Sequence, residues 1–274
     1  MLSQQDLSLI HRHAYIPEHL PDYVESISTA KPQLIDNHLC FTRRNHLLFI
    51  GYSLGVDTQN GASAYTVACN RFQPSSVAII APELWETGES FEKQETDSYY
   101  RLDLPLAVVP PGVAYMVRRA ARELVVESGK FGREHRKIIK GFLAQHRLDD
   151  QQKYIFKHIH QYLKRSKTGR VLEARKDGRL AAFTIVDLGS AESAFYLFNF
   201  RSTKLDIPGA SDLLFHEMVN LAQAEGKKHI NLGLGINTGI RRFKEKWGGK
   251  PFLPYVSAMV HRSTGDLGRL ARKF

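Results

Sequence analysis

Apolar residues along this chain fall into short runs and helical stripes that follow one another from Leu39 onward. Cys40-Phe41-Thr42 runs into the polar Arg43-Arg44-Asn45-His46, and Leu47-Leu48-Phe49-Ile50-Gly51-Tyr52 runs out again, the layout of two short strands around a turn. A polar loop from Asp57 to Gly61 precedes residues 62–72, which have the composition of a short helix. Pro74-Ser75-Ser76 breaks that helix, and Val77-Ala78-Ile79-Ile80-Ala81 reads as a buried strand ending at Pro82. The acidic stretch 83–97 reads as a loop, and Tyr99 to Leu104 alternates as a strand.

Pro110-Pro111-Gly112 is the clearest break in the chain. Beyond it the pattern predicts an amphipathic helix over 113–127, an interruption from Gly129 to Gly132, and helices over 133–145 and 151–166, the last capped by Asp149-Asp150. Strands follow at 170–175 and 179–188 around an Asp177-Gly178 hairpin turn, and a third at 194–201. A helix over 211–225 stops at Gly226, and a strand over 228–232 leads into Gly233-Leu234-Gly235. A short basic helix at 239–247 and a strand at 255–261 close the pattern. The break at Pro110 predicts two domains, 1–109 and 110–274, the second with a basic helical lead-in over 112–167.

The two parts share a succession of elements. Strand, loop, Gly61-Ala62-Ser63, helix and strand in the first part correspond to strand, loop, Gly209-Ala210-Ser211, helix and strand in the second. That order predicts a tandem α/β fold.

Composition narrows the functional classes. The chain has 274 residues and no apolar run of the roughly 18–20 residues that crosses a bilayer, and Met1 to His13 is too polar for a secretory leader, so the expected location is cytoplasmic. Cys40 and Cys69 lie in apolar contexts and read as small buried hydrophobes in a reduced compartment. The 12 histidines show no HExxH or Cys/His ladder, so no metal is expected. Residues 1–109 carry 7 Lys and Arg against 13 Asp and Glu, whereas 110–170 carry 15 against 5. A basic block of that size implies an anionic partner or a solvated helical face.

Two segments are candidates for chemistry. Pro208-Gly209-Ala210-Ser211-Asp212 opens a helix with small residues, so first-turn amides and the helix dipole would favour an anion there, with Arg201 and Lys204 adding charge. The plain alternative is an N-cap at Ser211 or Asp212. In the second segment Gly233 and Gly235 are not followed by the third glycine of a dinucleotide fingerprint, because position 238 is Thr238. Lys244 and Lys246 follow on a helix whose Phe243 and Trp247, four apart, read as core anchors.

Phe243-Lys244-Glu245-Lys246-Trp247-Gly248 is similar to the FK-x-x-(F/W)-G signature of FemAB-like transferases, and Arg118-Arg119-Ala120-Ala121-Arg122 resembles a basic helix of the same proteins. The element order resembles the GNAT acyltransferase fold, and the tandem layout resembles the cytosolic part of phosphatidylglycerol lysyltransferases. The resemblance implies a GNAT-like mixed sheet flanked by helices, in two tandem GNAT-like domains of which the first is acidic and degenerate. It implies acyl transfer to an amine or hydroxyl, from acyl-CoA or, as the alternative, from aminoacyl-tRNA. Gly209, Ala210 and Ser211 would then hold the donor pyrophosphate beside Arg201, and Asn237 would border the thioester arm. The loop departs from the usual Q/R-x-x-G-x-G/A pattern at Leu205, Asp206 and Ser211. Lys244 would lie near the transferred group, and Arg118, Arg119 and Arg122 would meet nucleic acid. Attack on an activated ester needs positioning, oxyanion stabilisation and a base. Glu173, Asp187, Glu217 and Tyr196 are the candidate bases and Tyr255 a donor to the leaving group, so Lys244, Tyr255 and Glu173 form the expected catalytic set. The acceptor is an amine on a small molecule, peptide or lipid, with tRNA or a peripheral membrane contact as further partners. A non-catalytic protein that binds an anionic ligand, a lipid surface or RNA is the third reading.

Overall fold

Strand pairing is carried by a single sheet, seen in a computed structural model that describes residues 2–55, 61–86 and 90–262. The loop expected at 57–60 and part of the acidic stretch, 87–89, lie outside the described residues. The strands are β1 (Lys31–Ile35), β2 (His38–Arg43), β3 (His46–Ser53), β4 (Ser76–Ala81), β5 (Glu92–Asp103), β6 (Val125–Gly129), β7 (Gly169–Lys176), β8 (Arg179–Asp187), β9 (Ser193–Arg201), β10 (His229–Leu234) and β11 (Lys250–His261). The helices are α1 (Gln4–His13), α2 (Pro21–Ser28), α3 (Gly61–Phe72), α4 (Pro111–Ala121), α5 (Arg133–Gln145), α6 (Asp150–Arg165), α7 (Ala210–Ala224) and α8 (Thr238–Lys246). None of the described helices is long and apolar enough to cross a membrane.

In the sheet order β1-β2-β3-β4-β11-β5-β10-β9-β8-β7-β6, the run β1-β2-β3-β4 is matched by β7-β8-β9-β10 on the other side of the β11–β5 pair, and β6 adds one further edge strand. On one side β3 and β4 are parallel and joined through α3, and on the other β9 and β10 are parallel and joined through α7. The repeated strand–Gly-Ala-Ser–helix–strand pattern of the sequence is therefore a repeat in space. The closing strands are exchanged: β5 lies against β10, and β11 lies between β4 and β5.

Strand alternation divides the core between the two faces. In β8, Ala182 and Val186 pack with Leu214, Phe215 and Met218 of α7, whereas Phe183 and Ile185 pack with Ile138 and Ile139 of α5 and Ile159 of α6. In β5, Tyr100 and Leu102 join the α7 side, whereas Tyr99 joins Ile10, Ile16 and Val24 on the α1–α2 side. Cys40 and Cys69 are buried under α3, as their contexts predict.

Three expectations need correction. Residues 92–97, read as loop, are strand: their polar side chains carry no alternating signal, and the pairing partner β11 is remote in sequence. The helix expected to reach Glu127 ends at Ala121, because the β-branched pair Val125-Val126 pairs with β7 as an edge strand. The last strand starts at Lys250, not Tyr255. Pro251 and Pro254 disguise it, and a register shift between Pro251 and Leu253 accommodates them.

Candidate functional site

The site follows from where β9 and β10 part. They pair only from Ser193 to Phe195 and from His229 to Asn231. Gly233, at φ +73°, then turns β10 away, and Leu234 pairs with Tyr99 of β5 instead. The Asn231 side chain supports this bend by accepting the Gly233 N–H at 2.7 Å and donating to the Tyr15 carbonyl.

Helix α8 places a lysine in that opening. Asn237 caps the helix, its Oδ1 accepting the Ile240 N–H at 3.0 Å. Trp247, fully buried, fixes the other end: its ring meets Phe215 edge-on at 4.8 Å, and Nε1 donates to Asp212 Oδ1 at 3.0 Å. Lys246 pairs with the same carboxylate at 2.6 Å. Phe243 stacks on Tyr196 at 6.1 Å. With both aromatic neighbours seated in the core, Lys244 is itself buried, 3% exposed.

Its Nζ donates to the Leu234 carbonyl at 2.5 Å and lies 5.4 Å from the centre of the Tyr100 ring. A β-carbon at Gly233 would be 4.0 Å from both Nζ and the Tyr196 carbonyl oxygen, ordinary contact, so it is the positive φ there that favours glycine. Burial lowers the Lys244 pKa from 10.5 to about 7, against an opposing pull from the Asp97 carboxylate. Asp97 also shapes the turn before α8, accepting the N–H groups of Ser98 and Ile236 at 2.7 Å. A buried amine poised near neutrality, with a carbonyl on one side and an aromatic face on the other, can exchange a proton with a substrate at ordinary pH.

The corner at Gly209 is tighter than its sequence suggests. Gly209 is itself the N-cap, at φ +85°, and a β-carbon there would lie 2.5 Å from the Met116 carbonyl oxygen of α4. Ala210 is buried, and its N–H goes to the Ile207 carbonyl at 3.1 Å. Neither Ser211 nor Asp212 caps α7: the Ser211 hydroxyl accepts from Asn199 Nδ2 at 2.8 Å, and Asp212 is held by α8. Arg201 is bound to Asp206 in the same loop. Gly209→Ala is expected to cost roughly 2 kcal/mol or more, from the left-handed backbone and the clash with α4, read as a lower urea midpoint.

The remaining expected residues are dispersed. Glu173 lies on the α5 face, not the α8 face. Its Oε1 is 3.1 Å from His135 Nε2 and its other oxygen is held by Arg175, so it is locked in a buried ionic network away from Lys244. Tyr255 packs edge-on against Tyr99 on the α1–α2 side, and burial pushes its hydroxyl up to about 12. Asp187 accepts from Tyr162 and Thr168, and Glu217 sits beside His216. Tyr196 borders the Lys244 opening, with burial holding its hydroxyl protonated. Arg118, Arg119 and Arg122 are exposed on α4, the helix that closes the Gly209 corner. Trp247 and Lys246 tie the end of α8 to Asp212 in the first turn of α7, Asn237 caps the opposite end of α8, and Asp97 and Tyr100 of β5 lie around Lys244. Asp97 and Tyr100 are invisible to local pattern, since they reach the site only through the pairing of β5 with β10. The corresponding corner of the first half is filled, with β-carbons at Gly51 and Gly61 falling 2.5 and 2.4 Å from the Trp85 indole.

No family model and no curated protein matches the chain. Solved structures do match. FemX is 10% identical with a TM-score of 0.62, the match covering 93% of this chain and 96% of that one. L-PGS from Bacillus licheniformis is 16% identical with a TM-score of 0.57, over 95% and 96% of the two chains. A tandem GNAT protein from the clavulanic acid biosynthesis pathway is 14% identical with a TM-score of 0.55, over 96% and 95%. A mixed sheet built from two exchanged halves, with helices on both faces and this span of agreement, is the tandem-GNAT, FemAB-like fold.

Proposed function

We propose that the chain transfers an acyl group from an activated ester to an amine, with Lys244 carrying the proton. The observation that supports this most is the position of Nζ: buried where β9 and β10 part, with its pKa brought to about 7. In this reading the acceptor nitrogen attacks the donor carbonyl carbon and forms the new C–N bond. Neutral Lys244 takes the proton released by the nitrogen. The resulting ammonium steadies the oxyanion and returns the proton to the leaving oxygen as the C–O bond breaks, which restores the neutral amine.

Of the two donors, an aminoacyl ester on tRNA fits better than acyl-CoA. Gly209 is pressed against α4, the Ala210 N–H is spent on Ile207, and the buried Asp212 carboxylate already sits in the first turn of α7, which leaves little attraction for a pyrophosphate. Arg118, Arg119 and Arg122 are exposed on the segment of α4 that packs against Gly209 and would meet backbone phosphates. The test is binding of bulk tRNA across a salt series. Wild type is expected to show steep weakening with salt, and Arg118→Glu/Arg119→Glu/Arg122→Glu is expected to flatten the slope by roughly two units. Micromolar binding of acetyl-CoA together with salt-independent or absent tRNA binding would reverse the choice of donor.

A further inference from the structure

A cleft lined by basic side chains lies on the opposite face of the sheet from Lys244. Between the start of α5, the end of α6 and the first residues of β7 is a cleft of about 390 Å³, within the usual size range of small-molecule sites. Lys130, Arg136, Lys164 and Arg170 line it together with His160, and Phe131 forms part of its wall.

Most of these groups are held in place by the protein itself. The Arg170 guanidinium is fixed by the carbonyls of Lys167 and Gly169 at 2.9 and 3.1 Å. The Arg136 guanidinium lies 5.7 Å over the Phe131 ring. His160 Nδ1 is tied to the Lys157 carbonyl at 3.0 Å, which leaves its outer nitrogen for another partner.

The acids at this end of the sheet are already engaged. Arg175 gathers Glu127, Glu134 and Glu173. Glu173, the carboxylate just beneath Gly129, is also met by His135. Among the described residues, none of the four permanent cations of the cleft pairs with a carboxylate within 4 Å. Four like charges around one concavity repel each other unless an anion enters, and they raise the local concentration of anions. One singly charged ion would leave most of that charge uncompensated.

We propose that this cleft binds a small molecule through a clustered-phosphate group, a diphosphate or longer, independently of the acyl-transfer site. The experiment is titration calorimetry of the full chain with inorganic pyrophosphate and tripolyphosphate at low ionic strength. Wild type is expected to bind both, tripolyphosphate more tightly, and Arg136→Ala/Lys164→Ala is expected to weaken both at least tenfold. Both side chains are exposed, so an unchanged thermal midpoint will show that the fold is retained. Arg43→Ala/Arg44→Ala, exposed at the turn between β2 and β3, is expected to leave polyphosphate affinity unchanged. The proposal is overturned by an absence of binding, by equal losses in the two double variants, or by binding that Arg136→Ala/Lys164→Ala leaves intact. It is also overturned if that variant loses adhesion to anionic phospholipid vesicles but keeps its polyphosphate affinity, which would make the surface a membrane contact.

Discussion

Lys244→Met is expected to abolish acyl transfer and to change how stability depends on pH. Removal of a positioned general acid–base group typically costs about 10²–10⁴-fold in rate. In wild type the base is the neutral amine, so kcat/KM is expected to rise with pH through about 7 and then level off. Asp97→Asn removes the carboxylate whose field favours the charged amine, so that limb is expected to move to lower pH. A purely structural lysine would lose activity without moving the limb.

The stability effect has a definite sign. Unfolded, Lys244 holds its proton up to about pH 10.5, whereas folded it releases the proton above about 7. Between those values the unfolded state binds more protons, so stability rises with pH, by up to about 1.4 kcal/mol per unit for one proton. Below pH 7 the folded protein carries the full penalty of a buried ammonium. The methionine variant lacks this rise, and urea unfolding at pH 7 and pH 9 is expected to give closer midpoints for it than for wild type. A variant that keeps full turnover would remove Lys244 from the mechanism.

Trp247→Ala is expected to have the largest effect on stability. The indole is fully buried against Phe215 and is one of two donors to Asp212. Aromatic-to-alanine changes in a core cost about 3–5 kcal/mol, and a buried acceptor that loses a donor adds to that. Trp247→Phe separates the two contributions: it keeps most of the packing and loses only the hydrogen bond, for an expected cost of about 1–3 kcal/mol. Because Trp247 anchors the end of α8, both variants are expected to slow turnover as well, and the alanine variant more. Urea unfolding and steady-state rates measured on the same samples decide the order.

Much of the fold was legible because its elements are locally specified. The Asp177-Gly178 turn, the Gly226 stop and the apolar runs of β3, β4 and β8 each announce themselves within a few residues. Lys244 was legible through the Phe-Lys-x-x-Trp-Gly run at 243–248, whereas the spacing of Phe243 and Trp247 as core anchors would by itself leave both lysines facing water. The rest depended on distant pairing. β5 is polar over 92–98 and β11 is interrupted by two prolines, so the first part of each shows itself as strand only through the pairing with the other. Glu173 was a candidate base in the sequence, but its burial in β7 has another reason. The reason is Arg175 and His135, and His135 lies nearly forty positions earlier on α5. The Gly209 corner looked open because small residues there suit an anion, but the same smallness also suits a close helix contact, and α4 takes it.

The exchange of β5 and β11 bears on how the molecule is made. While residues 250–261 are still unsynthesised, β4 and β5 have no strand between them, and both present bare amide and carbonyl rows to their surroundings. Early elements cannot mature into an independent unit and wait for later ones to join. Assembly is instead held back until the far end of the pairing arrives, a late, long-distance closure that makes folding slow and ties the lifetime of either half to that of the whole.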